Sequence, residues 1–448
     1  MDPSIYIPKI WALDYALAFF YMFIIYIVAY AYRSKKIEND EDYEYFMWAL
    51  SVKLFGGLGF MLLTVYYWGG GDTYSYYNTA RDYLRFSFEN PEEGLKIFFA
   101  SVENMNWYKY KFAYNRHNFL STTTNFTTVK ITTIVNLIGF NSYVVSTVIY
   151  SALSFLGIWN MYYLYSKIYP RLKKQLFYGF FFIPTVILWG SGILKDTITI
   201  TCVAWIVYSF INIVILKRKK VLSLFIIIST TLTIAYVKPY ILYVLYPCLF
   251  IWVQANLKAL VTSSLIRRLI APFVALVLIV SSYFLAQELS KGAGRYSLDN
   301  VENTLEGFQT WHTTVSETKH QAGYTLGDND FTTFGIIKKF PAAVAVTFFR
   351  PYPWEVTNAS TLLASVEGLI LLSFSLWLIL KYRLKLFQLI FQNKDILFLL
   401  LFSILFGVVV GITSYNFGAL SRYKIPAQMF YVVALILITE KTSHLPKE

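Results

Sequence analysis

The chain has 448 residues, of which 56% are hydrophobic and only 15% charged, and its mean hydropathy is +0.49. Because a soluble domain carries roughly 25% charged residues, this composition excludes a soluble globular protein and predicts a polytopic membrane protein. The formal net charge of +13 lies mostly in short basic runs between apolar segments, which argues for helix orientation and against a nucleic-acid partner.

The N-terminal residues and the cysteines give two further expectations. Residues 1–9 contain Asp2 and two prolines, so no signal-peptide pattern is predicted, and the first apolar run is long enough to span a membrane. Cys202 and Cys248 lie inside apolar runs and suggest neither a disulfide framework nor a metal site. No cofactor is therefore predicted, and a divalent metal has no support in the sequence.

Apolar segments define the predicted topology, since a span needs about 20 such residues. Eleven segments qualify: 10–32, 44–67, 141–165, 176–193, 197–216, 221–237, 240–257, 268–288, 360–381, 395–414 and 424–440. Residues 127–139 are too few to span, and we interpret them as an amphipathic or re-entrant helix on the outer face. The fold class predicted is all-α, with residues 1–448 forming a single integral membrane domain.

Basic clusters orient these spans. Five of them fall on one side of the membrane: Arg33 to Lys36, Lys167 to Lys174, Lys217 to Lys220, Arg267 with Arg268, and Lys381 to Lys385. Since positive charge favours the cytosolic side, the N-terminus is predicted outside and the C-terminus inside. Two long loops, 68–140 and 289–359, then lie outside with amphipathic helices, and we expect the chemistry on that face.

The first outer loop opens on three glycines and an acid, in the sequence WGGGDTYSYY at residues 68–77. An ionisable group where a span meets water is costly and tends to be functional, so Asp72 is a candidate base. The alternative is that Asp72 only caps the helix that follows. Tyr76 and Arg81 are candidate substrate-binding residues, and Asp82 and Glu93 are further acidic candidates.

Two short outer turns carry cations. Lys195 and Asp196 follow Ser191-Gly192, where a glycine would let the backbone approach a ligand and Lys195 would bind phosphate as a point charge. The alternative for Lys195 and Asp196 is an interfacial ion pair. Lys238 is either a phosphate ligand or a lysine that extends to the membrane interface.

The second long loop and the last outer turn complete the candidate set. Trp311 and His312 are candidate substrate-binding residues, although Trp311 also suits an interfacial aromatic belt. Arg350 is expected near the lipid phosphates, with Glu355 as an acidic candidate. The cations Arg422 and Lys424, with Tyr423 between them, lie at the entry to the last span, on the side where positive charge is disfavoured. We therefore predict either phosphate binding by Arg422 or its pairing with Asp72 or Glu355.

These residues resemble the GT-C superfamily, whose polytopic glycosyltransferases and related polysaccharide polymerases use polyprenyl-phosphate donors. The resemblance rests on Asp72 with Tyr76 four residues later, and on the Arg-Tyr-x-x-Pro pattern of Arg422, Tyr423 and Pro426. It implies that Asp72 deprotonates an acceptor hydroxyl while cations hold the phosphate of the donor. The family commonly has paired acids at this point, whereas Thr73 follows Asp72, so Asp82 and Glu93 remain candidates.

Three hypotheses follow for function. The first is a glycosyltransferase or glycan polymerase of the bacterial inner membrane, acting on a lipid-linked sugar donor in contact with membrane lipids. The second is a transporter or flippase of a lipid-linked glycan, although charges lie at span ends rather than mid-span and no internal repeat is evident. The third is a non-catalytic subunit that binds an envelope protein.

Overall fold

The computed structural model describes residues 10–113, 116–256 and 332–442, together with positions 8, 307, 310, 323–327 and 330. Within these ranges the chain is helical, and the one strand-like pairing is an isolated antiparallel bridge between Gly323 and Asn416. The helices are α1 Ala12–Ile37, α2 Phe46–Leu62, α3 Asp72–Glu89, α4 Pro91–Phe99, α5 His117–Leu120, α6 Thr123–Ile138, α7 Tyr143–Ile168, α8 Lys173–Phe181, α9 Pro184–Trp189, α10 Lys195–Val214, α11 Lys220–Val237, α12 Tyr240–Ala255, α13 Thr333–Phe349, α14 Ala359–Tyr382, α15 Leu384–Gln392, α16 Lys394–Ser414, α17 Phe417–Tyr423 and α18 Ile425–Thr442.

Seven helical segments in the described ranges are long and apolar enough to cross a membrane. They are α1, α7, α10, α11, α14, α16 and the continuous segment Glu41–Trp68, which contains α2. Helices α17 and α18 pass the same test together, with a bend of 62° between them. The protein is therefore an all-α polytopic membrane protein, as predicted, while the total of eleven spans and the orientation stay predictions. The predicted span 268–288 lies outside the described residues.

The segment predicted to span at 176–193 has a different structure. It forms two short helices, α8 and α9, which are separated at residues 182–183. Pro184 explains the break, because proline has no backbone N–H and disfavours helical geometry in the preceding residue. A second interruption, at residues 190–194, separates α9 from α10. The segment 127–139, which we interpreted as an amphipathic or re-entrant helix, overlaps α6. Helix α6 is not among the candidate spans.

The predicted outer loop 289–359 contains a helix that the sequence analysis did not identify. Helix α13 packs against α14 and α16. Its Thr347 hydroxyl donates to the carbonyl of Gly407 at 2.7 Å, and a Cβ on Gly407 would lie 2.8 Å from the Phe348 ring. Lys338, Lys339 and Pro341 interrupt the apolar pattern of this helix, which hides it from a hydropathy count.

The described chain packs as two compact units. Unit 1 comprises Met1–Tyr163, Ile187–Ile206 and Ile228–Lys238, and unit 2 comprises Leu164–Val186, Val207–Ile227 and Pro239–Glu448. In unit 1, helix α2 packs closely on the chain around α9, because a Cβ on Gly56 would lie 2.6 Å from Ile187. The prediction of a single domain over residues 1–448 is not tested by this division.

Candidate functional site

Two glycine-containing turns lie next to each other in unit 1, each directly after a tryptophan. Trp68 precedes Gly69–Gly71, and Trp189 precedes the turn at residues 190–192. The two indole rings stack with centroids 5.2 Å apart and planes within 7° of parallel. This stack brings together two turns that are 121 residues apart in sequence (189 − 68), and the charged residues of the site follow them.

Asp72 is exposed at the start of helix α3. The backbone turns sharply before it, with positive φ angles of 63° at Gly69 and 132° at Gly71, which glycine adopts without strain. Gly71 occupies the N-cap position and its carbonyl accepts from the Tyr74 amide, so Asp72 is the first helical residue rather than the cap. A carboxylate in the first turn is favoured by the helix dipole and stays accessible to a substrate.

Polar side chains of helices α2 and α7 donate hydrogen bonds to the backbone of the second turn. Lys53 Nζ and Ser154 Oγ both donate to the carbonyl of Gly190, at 2.6 and 2.7 Å. Ser151 Oγ donates to the carbonyl of Ser191 at 2.7 Å. These bonds satisfy carbonyls that a helix break leaves without intrahelical partners, and they fix where helix α10 begins.

Glycine at position 192 is explained by packing rather than by approach to a ligand. The residue is buried, and a Cβ there would lie 2.2 Å from the ring of Phe60. The expectation that Ser191-Gly192 opens the backbone to a ligand is therefore wrong for Gly192, since the space beside it is filled by protein.

Lys195, the first residue of α10, lies half-buried against α3 and α6. Its Nζ donates to Asn125 Oδ1 at 2.7 Å and to Thr124 Oγ1 at 2.9 Å, and it lies 5.8 Å from the centroid of the Tyr76 ring. Tyr76 is one helical turn after Asp72 and therefore on the same face of α3, about 6 Å along its axis. Asp72 thus lies one helical turn before Tyr76, which packs beside Lys195, and we call these three residues the outer strip.

Asp196 and Lys238 form a buried ion pair. Lys238 Nζ donates to Asp196 Oδ1 at 2.5 Å, and the two side chains are 9% and 1% exposed. The adjacent residues Lys195 and Asp196 therefore engage different partners, which contradicts the interpretation of the two as an ion pair with each other. The interpretation of Lys238 as a lysine reaching for the membrane surface is wrong as well. Since the pair links α10 to the end of α11, it positions Lys195.

The other acids of the first loop are engaged in structural contacts. Asp82 accepts from Arg81 Nε at 3.0 Å and from the buried Arg116 at 2.8 Å, so two guanidinium groups compensate its charge. Glu93 accepts from the Tyr110 hydroxyl at 2.8 Å and from Lys109 at 3.3 Å, and these hydrogen bonds lower the pKa of its carboxyl. The lowered pKa makes Glu93 a weaker base, and Asp82 is engaged by two guanidinium groups, so both acids serve the packing of the loop.

In unit 2, Arg350 and Glu355 form an ion pair. The guanidinium of Arg350 bonds both carboxylate oxygens of Glu355, whose Oε2 also accepts from the Tyr352 amide at 2.8 Å. Burial raises the pKa of Glu355, but the hydrogen bonds from Arg350 and Tyr352 outweigh it, so the pKa is lowered overall. Arg350 also lies 5.4 Å from the Phe417 ring. Its charge is thus compensated within the protein, which weakens its interpretation as a headgroup ligand.

Arg422 and Tyr423 lie in unit 2 at the end of α17, just before the 62° bend. The Arg422 guanidinium is half-buried and lies 5.6 Å from the Tyr423 ring. Glu355, one of its two predicted partners, bonds Arg350 instead. Lys424 is fully buried and donates to the Thr347 carbonyl at 3.0 Å. Trp311 and His312 lie outside the described residues.

Sequence reasoning missed two buried charges within spans. Lys53 is 1% exposed in α2, and Glu367 is 5% exposed in α14. Glu367 accepts from the amide and hydroxyl of Thr185 and from Gln428 Nε2. The statement that charges lie only at span ends is therefore wrong. Both residues could have been identified from the sequence, because an ionisable residue inside an apolar run is costly and usually has a functional or structural role.

No group of three His, Cys, Asp or Glu side chains in the described part of the chain is arranged to hold a metal ion. Comparison of the chain with protein-family models, with curated proteins and with solved structures returned no match.

Proposed function

We propose that the protein is a glycosyltransferase or glycan polymerase that transfers a sugar from a polyprenyl-phosphate-linked donor to an acceptor hydroxyl on the outer face of the bacterial inner membrane. The observation that supports this most directly is the outer strip, in which an exposed carboxylate stands one helical turn from a tyrosine packed beside a lysine. A base next to a cation is what a displacement from a phosphate leaving group needs.

In this reaction the acceptor oxygen attacks the anomeric carbon of the donor sugar. The new glycosidic bond forms as the bond between that carbon and the phosphate oxygen breaks. The acceptor proton goes to the Asp72 carboxylate, and the electron pair of the broken bond stays on the phosphate. Lys195 stabilises the developing phosphate charge, and Tyr76 packs against its ammonium group. Lys238 acts through Asp196 by positioning α10.

Replacement of Asp72 tests the assignment. Asp72→Asn keeps the shape of the side chain but removes the base, so glycan product should fall by about 10²- to 10⁴-fold at an unchanged protein level. The matched control is Glu89→Gln, which neutralises another exposed carboxylate of the same helix. Product is measured as radiolabelled glycan formed by purified chain in lipid with a polyprenyl diphosphate-linked sugar. Near-normal product from Asp72→Asn would exclude Asp72 as the base.

A second candidate function, transport of a lipid-linked glycan, is favoured by the buried charges Lys53 and Glu367 inside spans. Donor movement across sealed proteoliposomes without acceptor, unaffected by Asp72→Asn, would support transport and count against the transferase. The hypothesis of a non-catalytic subunit that binds an envelope protein predicts instead that the purified chain neither transfers nor moves the donor.

A further inference from the structure

A concave surface lies in the first loop, the same loop that begins at Asp72. Its volume is about 510 Å³, within the range of small-molecule sites. The lining residues are Glu103, Asn104, Met105, Asn106, Trp107, Tyr108, His117 and Ser121, and we call this surface the loop cleft. All of them belong to unit 1, the unit of Asp72 and Lys195.

The lining of the loop cleft suits a saccharide. Tyr108 is 59% exposed and offers an aromatic ring next to His117, at a centroid distance of 4.5 Å. Asn104 and Asn106 are exposed and carry carboxamides, which both donate to and accept from hydroxyl groups. An exposed ring with amides around it can stack on a sugar face and bond its hydroxyls.

The charge of the loop cleft distinguishes it from the outer strip. The described residues that line it include one carboxylate, Glu103, and one histidine, His117. None of these lining residues is lysine or arginine. A phosphate would meet a carboxylate there without a cation to bind it. The cation lies at Lys195 instead, so the two surfaces are suited to different parts of a reaction.

A single segment of chain, residues 117–125, connects the two surfaces. His117 and Ser121 line the loop cleft, while the Phe119 ring packs on Tyr76 at 5.5 Å and Asn125 bonds Lys195. Asn125 Nδ2 also donates to the Phe119 carbonyl at 2.9 Å, which holds the segment together. The far wall is fixed as well, because Trp107 packs edge-on against Phe126 of α6.

We propose that the loop cleft binds the acceptor saccharide as a neutral sugar and presents its hydroxyl toward Asp72. This inference rests on the proposed transferase function, since it assigns the second substrate of the same reaction. The donor would engage the cationic outer strip through its phosphate, and the acceptor would be recognised by stacking and hydroxyl hydrogen bonds in the loop cleft.

Saccharide binding without any donor tests the inference. The full chain in nanodiscs is examined by saturation-transfer NMR with three neutral disaccharides, cellobiose, lactose and N,N′-diacetylchitobiose. At least one should bind, and Tyr108→Ala and Asn106→Ala should each weaken it by about tenfold. Tyr30→Ala, which removes an exposed tyrosine of α1, is the matched control and should leave binding unchanged. Failure of all three disaccharides to bind, or wild-type affinity in both cleft variants, would overturn the proposal.

Two further measurements separate this inference from its alternatives. Adding a polyprenyl diphosphate-linked sugar should leave the disaccharide bound, whereas displacement would assign the loop cleft to the donor sugar and overturn the acceptor assignment. Inorganic diphosphate bound in the loop cleft and lost in Tyr108→Ala would overturn it too. Binding is read without turnover, so Asp72→Asn should retain it. Intact binding with normal product from Asp72→Asn would refute the proposed function alone.

Discussion

At the scale of single residues, the acids of unit 1 differ in their exposure to solvent. Asp72 is exposed at the start of α3, Asp82 and Glu93 each contact a cation in the first loop, and Asp196 is buried with Lys238. The sequence singled out Asp72 by its position after three glycines, but it gave no sign of which distant cation Asp82, Glu93 or Asp196 would contact. Compensation is set by contacts between distant positions, such as the 42 residues between Asp196 and Lys238.

The buried pair of Asp196 and Lys238 gives a prediction for stability. Lys238→Met leaves a carboxylate buried without its cation, which should cost about 3–5 kcal/mol in the free energy of unfolding. Lys96→Met, which breaks the exposed pair with Glu92, should cost at most about 1 kcal/mol. Thermal unfolding of each variant is followed with a thiol-reactive dye. Cys202 and Cys248 are buried in the folded protein and become reactive as it unfolds.

The double variant Asp196→Leu with Lys238→Met is the control for that experiment. It removes both charges together, so it should be more stable than Lys238→Met alone. Equal melting temperatures for Lys238→Met and Lys96→Met would show that the pair contributes no more than a surface contact.

Glu93 gives a prediction for pH dependence. Its folded-state pKa lies below the ordinary value of 4.5, chiefly because the Tyr110 hydroxyl and Lys109 donate to the carboxylate. The contact therefore stabilises the folded loop above about pH 4.5 and is lost as the pH falls through the lower folded value. Hydrogen exchange of residues 91–113, corrected for intrinsic rates, should accelerate on acidification below pH 4.5 in the wild type.

The Glu93→Gln variant should lack this acid transition, because its side chain does not titrate. Glu92→Gln is the matched control, since Glu92 is the adjacent carboxylate and bonds Lys96 rather than Tyr110. An identical acid transition in wild type and Glu93→Gln would contradict the assignment.

At the scale of helices, the site depends on two interruptions of helical structure. The turn at 69–71 follows a π-helical segment, and the turn at 190–192 separates α9 from α10. The first could be predicted from three consecutive glycines. The second was predicted as a short turn between two full spans. The separate break at Pro184 was not predicted, because the apolar content of residues 176–193 masked it.

Packing around the second turn predicts a specific glycine effect. Gly192→Ala would place a methyl group inside the Phe60 ring contact and should destabilise the protein by about 1–3 kcal/mol. Gly59→Ala is the matched control on α2, since a Cβ there meets nothing within 4 Å and alanine is the better helix former. Thermal unfolding of the two variants measures the difference.

A suppressor variant identifies the cause of the Gly192 effect. Phe60→Leu in the Gly192→Ala background should restore part of the lost stability, because it removes the ring that the new methyl group meets. No recovery would mean that the cost of Gly192→Ala arises from the backbone and not from Phe60.

At the scale of the whole molecule, the membrane class and most long spans could be predicted because the length of an apolar run is a local property. Predicted boundaries such as 395–414 lie close to those of α16, Lys394–Ser414. The support of the site could not be predicted in the same way. The bond from Lys53 to the Gly190 carbonyl joins positions 137 residues apart, and no local pattern encodes such a contact.

The predicted orientation can be tested with single introduced cysteines. Glu89→Cys should react with a membrane-impermeant maleimide in intact cells, because residue 89 is exposed in the predicted outer loop. Lys220→Cys, exposed at the start of α11, should react only after permeabilisation. The wild type is the blank, because both native cysteines are buried. Labelling of Lys220→Cys in intact cells would contradict the predicted orientation.

The parallel stack of Trp68 and Trp189 has a spectroscopic consequence. Two indoles whose centroids are 5.2 Å apart and whose planes are nearly parallel couple their electronic transitions. Each of them directly precedes one of the two turns of the site. The difference in near-ultraviolet circular dichroism between wild type and Trp68→Phe isolates this pair from the other tryptophans of the chain. A lipid-linked ligand that shifts either turn would change this circular dichroism signal. Ligand binding could therefore be followed without a label.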